Sequence, residues 1–338
     1  MHRSVLRIGF AYDNPIDKQA AGAESISCEY EDSRTLDWIY NCLSTLGDVV
    51  RLPWCRESLM ELLNTRVDVI FNITEAEGGR SRESFVPAVA EMLGLPYTGT
   101  DAVGLGLSLD KYLTKVIANH NNIPTPSFFR IDHLSELHTE QHAIETLGYP
   151  LFIKPVTGGS SRGIRQSARA ESFESLRSEI EWILESCQDS ALIETFVPGR
   201  EFNVGLLETD SLRCLPVAEL RLNNADPNAF YSYELKSIHR KEIICPADIP
   251  QATSQEMQNY ALRLFNALHC RDLARIDFRQ GTDGTIYFLE INPLPGLSPF
   301  YSIFPKQAEA AGINTKTLIE LLIRNALARS PKSPLREN

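Results

Sequence analysis

The seven cysteines of this chain supply no framework: their number is odd, and no two stand at C-x-x-C spacing. That argues against a zinc site or a disulfide scaffold and fits reduced thiols in the cytoplasm. Basic charge is also short. Lys and Arg number 33 against 44 Asp and Glu, a formal net charge of −11. A protein that holds nucleic acid by counterion release needs the opposite balance, although a few local lysines and backbone N–H groups suffice for a nucleotide's phosphates. No apolar run reaches the ~20 residues of a membrane helix, and Met1 to Asp13 is short and broken by charge, unlike a signal peptide. No internal repeat, low-complexity stretch or Walker A pattern occurs. What is there is an ordinary globular composition, 43% hydrophobic and 23% charged, in 338 residues, enough for two or three compact units.

Strand-like and helix-like segments alternate through the first third. Val5–Phe10 and Val67–Ile73 read as strands. Ser33 to Leu46 carries apolar residues at Leu36, Ile39, Tyr40, Leu43 and Leu46, a helical spacing that Gly47 would end, and Pro87 to Leu93 reads as a helix stopped at Gly94. This β-α-β-α order implies a parallel sheet covered by helices. Past Leu105 the pattern predicts a helix Asp110–His120, an extended link at Pro124 and Pro126, a strand Leu151–Val156, a helix Glu171–Ser186, and strands Ala191–Val197, Glu201–Leu207 and Cys214–Leu220. A helix Ser254–Leu268, opened by the capping-box spacing Thr253-x-x-Glu256, precedes a hairpin of Arg275–Arg279 and Ile286–Asn292 about Asp283-Gly284. The expected fold class is α/β, with α+β character in the C-terminal half. The expected units are 1–103, 104–190 and 191–330, followed by a frayed tail 331–338.

The hairpin is the most informative feature. Side chains alternate along a strand, so Arg275 and Asp277 share one face and Glu290 and Asn292 share another, while Ile276, Phe278, Leu289 and Ile291 would turn into a core. If the register pairs the polar faces, two carboxylates and an amide converge beside an arginine, an oxygen cluster suited to Mg²⁺. The plainer alternative is the polar outer face of an antiparallel sheet; the stiff turn Asn292-Pro293-Leu294-Pro295-Gly296 favours the cluster. Lys154-Pro155 precedes a Gly/Ser loop through Gly163, whose backbone can approach phosphate and to which Ser160 and Ser161 add donors. Alone, such a loop is more often a mobile turn, and Lys111, a second phosphate candidate, is alone a surface helix lysine. Glu194 and Glu201 stand seven residues apart across an apolar link that suits an adenine edge and a ribose, or else a plain strand–turn–strand. Tyr231-Ser232-Tyr233-Glu234-Leu235-Lys236 lies in a loop of about twenty irregular residues, long enough for a lid.

In order, Phe71-Asn72, Leu95-Pro96-Tyr97-Thr98-Gly99, Leu109-Asp110-Lys111, Ile153-Lys154-Pro155, Gly159-Ser160-Ser161-x-Gly163, Glu194, Glu201-Phe202, Tyr233-Glu234-x-Lys236, Arg275-Ile276-Asp277 and Glu290-x-Asn292-x-x-Pro295-Gly296 resemble the D-alanine–D-alanine ligase family of ATP-grasp enzymes, over about Val67 to Ile313. The resemblance implies a three-domain ATP-grasp architecture that uses ATP and Mg²⁺ to form a C–N bond, releasing ADP and phosphate. By position it implies Lys111 and Lys154 at the phosphates, Glu194, Phe196 and Val197 around adenine, and Glu201 at the ribose. It further implies Lys236 closing from the lid, Asp277, Glu290 and Asn292 on the metal, Arg275 at the developing negative charge, and Ser160 orienting the first substrate. A small-molecule acceptor, an amino acid and a cytoplasmic homodimer complete the expectation; neither nucleic acid nor membrane is a partner.

The acceptor half departs from the family. Two glycines and Ser-x-Glu do not follow the first strand, which continues Gly9-Phe10-Ala11-Tyr12-Asp13, so the glutamate for the first amine has no clear counterpart. Glu75 stands in Ile73-Thr74-Glu75-Ala76, where the family has His-Gly after Phe-Asn, and Ser237 replaces the lid tyrosine. Tyr301 and Ser302 fall near the serine that binds the second carboxylate, with one extra residue. These departures make a modified acceptor the leading expectation. The chain resembles the branch that joins L-threonine or L-serine to mycosporine-glycine, whose enaminone oxygen would be phosphorylated as a carboxylate is. The alternatives are a divergent D-alanine–D-alanine ligase and a non-catalytic ATP-binding regulator.

Overall fold

The structure is a computed structural model and describes residues 5–14, 29–222, 226–233 and 241–329. Its first sheet is parallel, in the order β2-β1-β3, from β1 (Arg7–Tyr12), β2 (Asp48–Pro53) and β3 (Val69–Asn72). β2 is absent from the sequence reading because it lies at the sheet edge and is only partly buried, so no continuous apolar run marks it. Helix α1 (Ser33–Ser44) starts where predicted, with Asp32 accepting the Thr35 N–H at 2.8 Å as its cap. α2 (Arg56–Asn64), α3 (Phe85–Met92) and α4 (Ala102–Leu109) complete this region. Asp110 caps α5 (Lys111–His120) by accepting the Leu113 N–H at 2.9 Å, which fixes where Lys111 enters the helix.

An antiparallel sheet of order β4-β7-β5-β6 follows, from β4 (Phe128–Ile131), β5 (Leu151–Pro155), β6 (Arg169–Ala170) and β7 (Ala191–Thr195). α6 (Glu136–Thr146) and α7 (Phe173–Trp182) accompany it, and α7 runs on into a π-helical turn, Ile183–Cys187. The sequence reading set β7 at the head of the last unit. It is instead an inner strand here, with Glu194 opposite both Phe128 and Phe152.

The third sheet is antiparallel, in the order β11-β10-β8-β12-β13 with β9 beside β8. Its strands are β8 (Gly199–Glu208), β9 (Leu212–Cys214), β10 (Ala218–Leu222), β11 (Lys241–Ile244), β12 (Leu273–Gly281) and β13 (Ile286–Asn292). α8 (Gln251–Ala267) begins before the expected start: Pro250, its φ already near the helical value, precedes the first turn, and Thr253 and Glu256 fall inside the helix. The predicted hairpin register is found, with Arg275 opposite Asn292 and Asp277 opposite Glu290. It then slips at a β-bulge, so that Phe278 faces Phe288 and Leu289 is the extra residue. Leu289 therefore lines the cavity described below, and Phe288 takes the core place expected of it.

Three of the five buried hydrophobic clusters among the described residues hold these layers. One packs Ile8, Phe10 and Phe71 against Phe304 of α9 (Ile303–Ala310) and Leu318, Leu322 and Ile323 of α10 (Thr315–Ala328), joining the two ends of the chain. A second lies under the third sheet, with Met257 and Leu264 of α8 and Ala118 of α5. The third, from Ile131 to Ile193, belongs wholly to the central sheet and its helices.

Candidate active site

A cavity of about 240 Å³ opens where the three sheets meet. Lys111, Lys154, Ser160, Glu194, Phe196, Val197, Glu201, Arg275, Asp277, Glu290, Asn292, Glu75, Tyr301 and Ser302 all line it. Lys236 lies outside the described residues.

At one end, lysines gather around buried acids. Lys111 opens α5; its ammonium donates to the Gly158 carbonyl and lies 3.7 Å from Glu290. Lys154, next to last in β5, lies 3.0 Å from one Glu194 oxygen, while Lys115 approaches the other at 2.6 Å. Lys115 escaped the sequence reading; its signal was the i,i+4 spacing from Lys111, which puts both on one helix face. Burial alone would raise the Glu194 carboxyl, but Lys115 and Lys154 outweigh it and hold the group low. Burial brings Lys115 down to about 8 against the pull of Glu194.

The loop after β5 is backbone-driven. Ser160 and Ser161 both take left-handed conformations, φ 52° and 63°. Gly163, at φ 69°, could not carry a side chain, because a Cβ would sit 2.3 Å from Pro155 Cγ.

Beyond the lysines lies an aromatic slot. Phe152, Phe196 and Phe230 form a triangle with centroid separations of 5.0–6.3 Å. Glu201 flanks it, pushed up to about 7 by burial against the pull of Arg279, 3.7 Å away. Arg279, which the sequence reading treated only as a strand residue, also donates to the carbonyls of Pro227 and Ala229 at 3.0 and 2.6 Å.

The hairpin face turns inward. Arg275 binds both Asp277 oxygens, at 2.8 and 2.9 Å, and Asn203 donates to Asp277 at 2.6 Å. With Asp277 at 6% exposure, the solvent-face alternative does not hold. Burial would raise Glu290, but Lys111, Lys154 and Arg275 outweigh it. The buried Asn203 Oδ1 has no hydrogen-bond partner among the described residues. Two carboxylates, the Asn292 amide and an orphan amide oxygen form a hard-oxygen set that fits a hydrated divalent cation.

The opposite end of the cavity holds a residue that the sequence reading did not find. Glu29 lines the cavity, accepts the Gly159 N–H at 3.2 Å and receives Arg82 at 2.6 Å. A glutamate thus reaches this end although the family signature does not follow β1; Ser27-x-Glu29, further along the chain, was the available signal. Oxygens of Glu29, Glu75 and Glu83 lie within 4.8 Å of one another. Burial, then Glu83 and Glu29, drives Glu75 well above the usual carboxylate range; burial pushes Glu83 up to about 7 against the pull of Arg82. Across the cavity the Tyr301 hydroxyl donates to Glu31, and Ser302 stands just before α9 without a side-chain bond to its first turn.

The profile of a family described as "D-ala D-ala ligase C-terminus" matches residues 117–324. The D-alanine–D-alanine ligase of Desulfotalea psychrophila is 34% identical over 254 residues, 75% of this chain and 77% of that protein. The ATP-complexed crystal structure of D-alanine–D-alanine ligase from Bacillus anthracis superposes with a TM-score of 0.74 at 23% identity, covering 96% of this chain and 98% of that one. The D-Ala:D-Ser ligase VanG of Enterococcus faecalis gives 0.76 at 21% identity, covering 96% and 100%. At these identities the two structures carry the fold, which is ATP-grasp.

Proposed function

Since this chain belongs to the D-alanine–D-alanine ligase family, we propose that it is an ATP-dependent ligase that activates the carboxylate of one small amino acid and joins it to the amine of a second, D-alanine being the favoured substrate. The carrying observation is the convergence of Lys111, Lys154, the 158–163 loop and the Arg275–Asp277–Glu290–Asn292 face on one cavity. The curated relative favours the D-alanine reading over the mycosporine-glycine one.

In this reading Lys111, Lys154 and the N–H groups of the loop hold the triphosphate, the aromatic slot with Val197 takes adenine, and Glu201 accepts from the ribose. Magnesium, held by Asp277, Glu290 and Asn292, would offset phosphate charge. Arg275, fixed in the plane of Asp277 by two hydrogen bonds, meets the negative charge that grows on the transferring phosphoryl group and then on the acyl oxygen. Glu29 takes the ammonium of the first amino acid, Ser160 orients its carboxylate, and Tyr301 and Ser302 border the second. Glu75 faces the first subsite. Lys236 is assigned to ATP by family resemblance alone. A carboxylate oxygen displaces ADP from the γ-phosphorus; the incoming neutral amine nitrogen then displaces phosphate from the acyl carbon, and the amine's proton leaves with that phosphate as hydrogen phosphate. Enclosure keeps water from that carbon.

The test is ADP release with Mg-ATP and D-alanine alone, against mycosporine-glycine with L-threonine or L-serine, each product identified by mass. ADP with a D-alanyl dipeptide is expected. Turnover confined to the mycosporine-glycine arm would overturn the reading. Family membership also supports a cytoplasmic homodimer, which sedimentation of the purified protein tests.

A further inference from the structure

We propose that Arg162 and Asp189 form a clasp that holds the Gly158–Gly163 loop in its phosphate-binding shape, which makes Arg162 a positioning residue for the nucleotide. This rests on the reading that the loop meets phosphate.

Two consecutive non-glycine residues in left-handed conformations, Ser160 and Ser161, are strained and persist only where the surroundings over-determine them. The surroundings here are two ties to one short segment. Before the loop, Asp189 Oδ2 accepts from the Thr157 N–H at 3.0 Å and from its hydroxyl at 2.5 Å. Within it, Arg162 Nη2 donates to the Cys187 carbonyl at 2.9 Å, and Nη1 lies 3.8 Å from the same Asp189 oxygen.

The anchoring segment is itself irregular. Residues 183–187 form a π-helical turn, and Gln188 is left-handed at φ 50°. π-turns are rare and concentrate at functional sites. The Cys187 carbonyl is one of the helix-end acceptors that no later helical N–H meets, and Arg162 takes it. Arg162 is only 8% exposed, yet it lines the cavity. Its Nη1 lies 3.4 Å from where a Cβ on Gly158 would be, with Glu29 at 3.3 Å from the same point. The clasp therefore borders both the phosphate and the amino-acid ends. Two strained serines, a π-turn and a left-handed glutamine meeting at one guanidinium and one carboxylate are more than packing of a surface loop requires.

The consequence is selective. Loosening the clasp should harm recognition of phosphates and leave the aromatic slot alone. Arg162→Met, Arg162→Lys, Asp189→Asn and Lys154→Met are compared with the unaltered protein by calorimetric titration with AMP-PNP and with adenosine, together with thermal melting. Arg162→Met and Asp189→Asn should weaken AMP-PNP about tenfold, the scale of one charged hydrogen bond, with adenosine affinity within about twofold, and Arg162→Lys should recover part of the loss. Wild-type AMP-PNP affinity in both, while Lys154→Met loses it, overturns the clasp and leaves the phosphate reading standing. Equal losses for both ligands with a lowered melting temperature make the pair merely structural and also overturn it. Unchanged AMP-PNP affinity in Lys154→Met removes the phosphate reading, and the clasp falls with it.

Discussion

Lys115 does not line the cavity, yet replacing it with methionine should both destabilise the protein and weaken ATP binding. Its ammonium is 2.6 Å from one oxygen of Glu194, and that of Lys154 is 3.0 Å from the other. At an effective dielectric of about 20 the two attractions are each roughly 6 kcal/mol before desolvation. Removing one partner of a buried pair typically costs about 3–5 kcal/mol. Glu194 keeps Lys154, so the lower end, about 3 kcal/mol, is expected. Methionine matches the stem, and the loss is electrostatic rather than a cavity. The hydroxyl of Thr125 and the carbonyl of Phe288, which Lys115 reaches at 2.8 and 3.3 Å, lose a donor as well. Lys154 is then the sole counter-charge of Glu194 and is drawn from the phosphates, so KM for ATP should rise roughly fivefold, about 1 kcal/mol. Urea unfolding measures the first effect and steady-state kinetics the second. The double variant Lys115→Met/Glu194→Gln should recover stability, with a coupling of at least ~1.5 kcal/mol. A single variant within ~1 kcal/mol of wild type, or additive behaviour in the double, would refute the account of Lys115 as half of a charge-holding pair.

Three further outcomes follow from the site. Glu83 sits at about 7 in the folded protein against an ordinary 4.5; the folded state binds the extra proton, so this group's contribution falls as pH climbs from about 4.5 to 7, and Glu83→Gln should raise the melting temperature at pH 8 more than at pH 5. Glu201, also near 7, accepts from a ribose better when charged, so KM for ATP should fall as pH rises through 7, a dependence that Glu201→Gln flattens; an unchanged profile in that variant would assign the titration elsewhere. Arg275→Met should lower kcat by about 10²–10³ with AMP-PNP affinity much less affected, and a loss confined to binding would count against its transition-state role.

How much of this was legible depended on distance along the chain. The hairpin face could be read because alternation is local: Arg275, Asp277, Glu290 and Asn292 were placed together from a two-residue period and one turn signal, and the register agrees. The bulge that redirects Leu289 has no such local mark, since the alternation reads equally well without it. Lys115 and Arg279 look like ordinary helix and strand residues until Glu194 and Glu201 are brought from other elements. Glu29 was missed because the expected signature was sought directly after β1. β7 was misplaced because strand type can be read from Ala191–Thr195, whereas the strands on either side of it, β4 and β5, are chosen by tertiary packing.

The core shared by the two ends of the chain has a consequence for how the protein is made. β1, α1 and β3 are made well before α10, yet Ile8, Phe10 and Phe71 share one buried cluster with its Leu318, Leu322 and Ile323. Until then the nascent N-terminal sheet has one face without its cover. The central sheet, whose core draws only on Ile131 to Ile193, can condense during synthesis from neighbours already present. Emergence of α10 is therefore the step at which the N-terminal sheet gains its cover, and a chain stalled short of Thr315 would carry a folded central unit beside a first sheet with one bare face.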